Sequence, residues 1–346
     1  MDTPTPISPP SRQPQQPPST DRKKIRVVCI SDTHNIQLNP PDGDVLIHAG
    51  DMTNAGSHTE LEKAIGWISG LDHEVKIVIA GNHDGVTLDP VFFKEFGDYF
   101  HNNNPQSHEE NLQLFVGSEA RSRGVVYLNH EAKRIVLKDG RTFKVFGSPW
   151  SKKSGMWGFG YGETNSLSES LWAGVLADSE IMVTHGPPKY HLDALRASNV
   201  GCEYLRQTLW KVRPALHVFG HVHEGRGVER VKWDFQSPHL QYREISVSHI
   251  SDPTPESKKL FRIDLTEVEE RVETCLVNAA IVKQPWRKGI GHVGRNKAIV
   301  VDLMVDMVDL RGHGSGGGDG RVEGGSEITA KEEFESPQTN IGEASG

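Results

Sequence analysis

The chain has 346 residues, 36% of them hydrophobic and 24% charged, with a formal net charge of −8 and a mean hydropathy of −0.49. These values suit a globular protein and exclude a collagen, a membrane channel and a basic nucleic-acid coat. No apolar stretch approaches the roughly 18–20 residues that cross a bilayer.

In chain order, residues 1–24 come first, with seven prolines among Ser, Thr and Gln. Such a segment cannot bury enough apolar surface to offset its ordering entropy, so it is expected to be disordered. A body at 25–311 follows, carrying a net charge of −5 and no internal repeat. Within it IRVVCI (25–30), VLIHA (45–49), VKIVIA (75–80), KVFG (144–147), IMVT (181–184) and ALHVFG (215–220) are short, β-branched and almost continuously apolar. That pattern predicts strands buried on both faces. Between them, 57–71 reads as a helix capped by Ser57 or Thr59, with Leu61, Ala64, Ile65 and Ile68 at helical spacing. The stretches 165–176 and 190–212 also read as helical. The runs VERVKWDF, FRIDL, RVETCLVNA and AIVVDL predict later strands. Loops or insertions are expected at 100–124, 151–165 and 283–297. The glycine-rich end, 312–346, has a net charge of −5 and reads as a flexible acidic tail. The order of elements predicts layered α/β, with ligands beyond the carboxyl ends of the strands.

Five polar sets stand at those strand ends: Ser31-Asp32-Thr33-His34, Gly50-Asp51, Gly81-Asn82-His83-Asp84, His185-Gly186-Pro187-Pro188 and Gly220-His221-Val222-His223. A D-x-H or H-x-H triplet alone is expected about once by chance, and Gly-Asp about twice. Gly-Asn-His-Asp is far rarer, and the weight lies in the ordered set, each member ending a buried strand. Oxygen and imidazole donors without thiolate suit Mn, Fe or Zn rather than a structural zinc.

The strings ISDTHN, VLIHAGDMT, AGNHD, THGPP and GHVHEG together resemble the calcineurin-like metallophosphoesterase superfamily, in particular its metallophosphoesterase-domain-containing subgroup near the cyclic-nucleotide phosphodiesterases. The resemblance covers about residues 25–306. It implies a four-layer α/β/β/α sandwich of two mixed β-sheets flanked by helices. By the same resemblance, Asp32, His34, Asp51 and His223 would hold one metal ion and Asp51, Asn82, His185 and His221 a second, Mn first among the candidates. Two such ions lower the pKa of a water between them and supply hydroxide at neutral pH. The resemblance makes His83 the general acid for the leaving oxygen. The implied activity is hydrolysis of a small phosphoester, a diester such as a cyclic nucleotide favoured over a monoester or phosphoprotein. A catalytically weak metal-bound scaffold is the reading from another class.

Other residues carry weaker signals. Asp84 either orients His83 or bonds the local backbone. His48 and His217 sit inside strands and read as core histidines. His191 reads as an exposed helix start. Trp150, Trp157, Phe159 and Tyr161, beside Lys152 and Lys153, could stack a base and contact a phosphate, or simply pack. The negative body disfavours nucleic acid as a partner. The proline-rich end could dock an SH3-like or WW-like module, although plain disorder is the simpler reading. Cys29, Cys202 and Cys275 are too scattered for a disulfide framework, and the N-terminus carries no secretory signature. Both point to a cytoplasmic setting. Nuclear residence stays open, because Arg22-Lys23-Lys24 is too short to be an address.

Overall fold

The Val/Ile-rich runs form strands because β-branched side chains suit a pleated surface covered on both faces. The computed structural model describes residues 21–162, 165–175, 177–234, 243–267, 271–287 and 291–308. In chain order come β1 (Arg22–Ile30), β2 (Val45–Ala49), helix α1 (His58–Ser69), β3 (Val75–Ile79), α2 (Gly85–Leu88), α3 (Pro90–His101), α4 (His108–Val116) and α5 (Ser118–Ser122). Next are β4 (Val125–Tyr127), β5 (Glu131–Val136), β6 (Arg141–Ser148), β7 (Ser151–Lys152), β8 (Gly160–Tyr161), α6 (Asn165–Ala173), β9 (Ile181–Thr184), β10 (Ala194–Leu195), β11 (Ser198–Asn199) and α7 (Glu203–Val212). The series closes with β12 (Leu216–Phe219), β13 (Gly227–Asp234), β14 (Arg243–His249), β15 (Leu260–Asp264), β16 (Glu273–Asn278), β17 (Val282–Arg287), β18 (Gly291–Arg295) and β19 (Ala298–Met307).

Thirteen strands are hydrogen-bonded in the order β14-β13-β16-β12-β9-β6-β19-β1-β2-β3-β4, with β15 on β19 and β5 on β6. One short corner joins the two mixed halves: β6 meets β19 only at Thr142↔Asp306 and Arg141↔Met307. Alternation along the strands then builds the layers. Val27, Cys29, Ile47 and Ile77 of one half share a buried cluster with Val145, Val183, Val218 and Val277 of the other, so the halves pack face to face. Val28, Ile30, Leu46 and Val78 turn outward onto Leu61, Ile65 and Ile68 of α1 and Phe115 of α4. Phe146, Met182, Phe219 and Leu276 turn onto Trp172 of α6 and Leu205 and Leu209 of α7. The result is helix, sheet, sheet, helix: the four-layer α/β arrangement implied by the resemblance, with the two sheets continuous at one corner.

Helix α1 starts where expected, at Ser57, whose backbone N–H and hydroxyl both donate to Glu60. Four expectations change. The first strand begins at Arg22 rather than 25, because Arg22, Lys23 and Lys24 pair antiparallel with Asp306, Val305 and Met304 of β19. Residues 190–202 are not helical; the chain makes the β10–β11 hairpin, and α7 starts only after Cys202, whose Sγ caps the Leu205 N–H. The supposed loop at 100–124 contains α4 and α5, since Ser107 caps α4 and Phe115 buries against Tyr127. Residues 283–297 are largely the β17–β18 hairpin, apart from 288–290, which lie outside the described residues. Of the ends expected to be disordered, 1–24 and 312–346, residues 1–20 and 312–346 also lie outside the described residues, while 22–24 belong to β1.

Candidate metal centre

The polar sets gather at the carboxyl ends of β1, β2, β3, β9 and β12, on the seam between the two halves. Strand ends are stiff, but their side chains converge only if the backbone turns sharply. Asp32 (φ 51°), His34 (φ 44°), Asp51 (φ 53°) and His221 (φ 66°) all take the left-handed conformation. It costs a non-glycine residue roughly 1–3 kcal/mol and persists where surrounding structure enforces it. Close approach also demands bare backbone. A Cβ on Gly220 would lie 2.0 Å from Asp32 Oδ2, and one on Gly81 would lie 2.3 Å from Asp51 Oδ1.

Among the described residues three sets of donors converge within ligating reach: Asp32, His34 and His223; His34, Asp51 and His83; Asp51, His185 and His221. His34 Nε2 lies 3.3 Å from His223 Nε2, and His223 Nε2 lies 3.2 Å from Asp32 Oδ1. Asp51 Oδ2 stands 3.8 Å from His34 Nε2, 3.4 Å from His185 Nε2 and 4.0 Å from His83 Nε2. Asn82 Oδ1 is 3.0 Å from His185 Nε2. Thus all seven residues expected as metal ligands meet in one place, with His83 beside them.

Carbonyl groups behind the histidines orient the rings. His34 Nδ1 faces the Thr53 carbonyl at 3.2 Å, and His185 Nδ1 faces that of Ala49 at 2.9 Å. Donation from Nδ1 turns each Nε2 toward the centre. His83 follows the same rule, with Nδ1 2.6 Å from the Asn54 carbonyl. Its backbone N–H donates to Asp51 Oδ1 at 2.9 Å.

The electrostatics reflect this crowding. Burial pushes the Asp32 carboxyl up, but the charge and hydrogen bond of His223 outweigh it and hold the group well below the usual carboxylate range. Burial likewise opposes ionisation of Asp51, and His185, His83 and His34 together hold it low. His185 loses by burial but gains more from Asp51, which raises it to about 9. Burial leaves His34 and His221 at about 4, hence neutral and able to offer a lone pair. A buried group of two carboxylates, an amide oxygen and several imidazoles, with facing Nε2 atoms, fits divalent cations better than it fits protons.

The Asp84 carboxylate makes its hydrogen bonds elsewhere than to the His83 ring, whose Nδ1 faces the Asn54 carbonyl. Fully buried, Asp84 accepts from the backbone N–H groups of Met52, Thr53 and Gly81 and from the Thr53 hydroxyl. Its role is to knit the Asp51 and Asn82 turns together, and burial beside Asp51 raises it to about 6. His48 and His217 are core residues, bonded to Thr33 and Thr184 beneath the site. His191 is not exposed: it is 2% accessible and held between Glu229 at 2.9 Å and Glu244 at 3.3 Å. Sequence reasoning missed it because both carboxylates come from strands far along the chain.

A cleft of about 1070 Å³ opens over the centre, walled by Lys152–Ser154 and Trp157 and by Leu195, Arg196 and Ser198–Val200 with Glu224. Of the aromatic residues expected near substrate, Phe159 and Tyr161 are buried, and Trp150 packs on Phe159. Trp157 alone reaches the cleft, its ring 3.9 Å from that of His83 and 5.4 Å from that of Phe100. Flanked by those rings, Trp157 fixes His83 rather than offering an open face to a base. His83, with its side chain 25% accessible, faces the cleft beside it.

Residues 25–225 match the calcineurin-like phosphoesterase family, and the chain belongs to it. This is a family of phosphoester hydrolases that typically hold two metal ions, and the Asp/His groups described above could hold them. The chain is 43% identical over 212 residues to a probable rhamnogalacturonate lyase C of Emericella nidulans, covering 61% of this chain and 18% of that protein. It is 37% identical over 212 residues to metallophosphoesterase domain-containing protein 1 of Homo sapiens, covering 59% and 62% respectively. A Caenorhabditis elegans protein of the UPF0046 group is 36% identical over 214 residues, covering 61% and 68%. The chain therefore spans less than two thirds of the first two relatives. No described helix is long and apolar enough to cross a membrane.

Proposed function

We propose that this protein is a metal-dependent phosphodiesterase of small phosphate esters, cyclic nucleotides among them, working in a cytoplasmic setting. The observation that carries the reading is the position of Asp51, whose carboxylate belongs to two of the three donor groups at once. Asp32, His34, Asp51 and His223 would hold one cation, and Asp51, Asn82, His185 and His221 the other. The oxygen and imidazole set suits Mn, Fe or Zn, and Mn²⁺ is taken first on the family resemblance. When bound, such a pair supplies an activated water at neutral pH and neutralises charge on the transferring phosphoryl group.

The chain's own part is positioning and proton transfer. Asp51 sets the spacing of the two ligand groups, and its Oδ1 is fixed by the His83 N–H. Donation from Nδ1 to the Asn54 carbonyl leaves His83 Nε2 toward the cleft, where its proton can pass to the departing ester oxygen. Trp157 covers one face of that ring.

The test compares a bis-aryl phosphate diester with the matching monoester, with added Mn²⁺, for wild type and Asp51→Asn. Metal-dependent diester cleavage lost in the variant supports the reading. Monoester preference favours a phosphatase, and inactivity with two metals bound per chain favours a scaffold. For His83→Ala, the loss should be greater on esters with poor leaving groups; equal losses remove the acid role.

A further inference from the structure

The cleft is larger than a phosphoryl group alone requires, and one of its walls is unusually built. The β10–β11 hairpin pairs Leu195 with Ser198, so its turn consists of Arg196 and Ala197. A positive φ in a two-residue turn is the natural place for Gly, Asn or Asp. Here Arg196 holds φ 56°. A long side chain stays in that conformation only where the surroundings impose it.

The surroundings do so from below. Asp193, 1% exposed, accepts from Asn199 Nδ2 at 2.7 Å and from the Gly201 N–H at 2.8 Å, closing the base of the hairpin. His191, just before it, is clamped between Glu229 of β13 and Glu244 of β14, and Glu244 further accepts from Nε and Nη2 of Arg206, each at 2.7 Å. The hairpin is therefore tied to the sheet, and its tip is held in place before any ligand arrives. Arg196 itself is exposed, lines the cleft and has no hydrogen-bond or acidic partner among the described residues. Lys152 and Lys153 line the same cleft, so the rim is positive despite Glu224.

We infer that Arg196 is a substrate-recognition residue, its guanidinium binding an anionic oxygen group, phosphate or carboxylate, that the substrate carries apart from its scissile phosphoester. This rests on the phosphoester reading above, in which the metal ligands at the floor serve the scissile group. A guanidinium suits the task because it presents paired donors to two anionic oxygens at once. Glycine would have suited the turn itself, so it is the side chain in the cleft that accounts for an arginine there.

The experiment uses the full chain with Mn²⁺ and two chromogenic diesters, the p-nitrophenyl esters of thymidine 5′-phosphate with and without a 3′-phosphate. Wild type should prefer the 3′-phosphorylated ester. In Arg196→Ala and Arg196→Gly the ratio of the two kcat/KM values should fall by about tenfold to a hundredfold, the usual worth of a charge-assisted pair. Glycine relieves the turn, so Arg196→Gly should melt within about 2 °C of wild type. A wild type without preference, or a ratio unmoved in both variants, overturns the inference. If wild type cleaves neither ester, the phosphoester reading falls, and calorimetric binding decides the role of Arg196. Thymidine 3′,5′-bisphosphate should then bind wild type at least about tenfold more tightly than Arg196→Gly. Equal affinity would overturn the assignment.

Discussion

The floor and the rim of the cleft are built by different means. The floor is made of strand ends. Asp32, Asp51 and His185 are at most 2% exposed, their rings and carboxylates are fixed by backbone groups, and a single added methyl at Gly220 or Gly81 would collide with a carboxylate oxygen. The rim is made of loops, with exposed Arg196, Ser198 and Asn199 on one wall and Lys153 and Ser154 on the other. A rigid floor can serve one chemistry, while loops on a fixed scaffold can change the substrate without disturbing it.

The sharpest way to test this division is at its centre. Asp51→Asn should lower metal-dependent kcat/KM by more than about 1,000-fold while the chain still folds, read by steady-state kinetics beside metal content and circular dichroism. Next, Gly220→Ala should cost about 3 kcal/mol of stability, because its Cβ has no room beside Asp32, and bound metal should fall with it. A matching Gly→Ala change at Gly174, where a Cβ meets nothing within 4 Å, should not destabilise the chain.

The support beneath the rim should respond less, and with a pH signature. Glu244→Gln should cost about 2 kcal/mol near neutral pH through the lost Arg206 and His191 bonds. In wild type, burial works against Glu244, but His191 and Arg206 hold its carboxyl at about 2, below its ordinary 4.5. Its contribution is therefore present above about pH 4.5 and is lost as pH falls toward 2. His191 runs the other way: buried, yet raised by Glu229 and Glu244, it contributes below its ordinary 6.5 and loses that contribution as pH rises through its elevated value. Melting temperature against pH should show both flanks, and Glu244→Gln should flatten the acid one. The smallest effect belongs to the cleft wall. Trp157→Ala should lower kcat about tenfold by freeing the His83 ring, whereas Trp150→Ala, which sits against Phe159, should change it less than about twofold.

The same division governs what could be read from the sequence. The floor was legible because its chemistry is local: Asp32 follows an apolar run, as do Asp51, Asn82, His185 and His221, and the Gly beside several of them marks a close turn. Helix α1 was legible because its apolar spacing and its Ser57–Glu60 start agree. The rim was not. Residues 190–202 have a composition compatible with a helix, and what prevents one is Asp193 bonding forward to Gly201 and His191 reaching Glu229 and Glu244. Those partners are set by the tertiary fold, which no window of sequence contains. Trp157 could not be told from its neighbours Phe159 and Tyr161, since which aromatic ring meets His83 depends on how the 151–161 segment folds back.

One pairing described above also ties the site to distant parts of the chain. Strand β1, which delivers Asp32, lies between β2 and β19, so Arg26 meets Asp302 across 276 positions of chain. Strand β12, which delivers His221, is likewise flanked by β16 from beyond the family match. A ribosome therefore releases every floor residue long before the strands that hold two of them in line. Contacts this distant in sequence close slowly. The floor thus draws its alignment from both ends of the described chain, since β1 is held in register by β19.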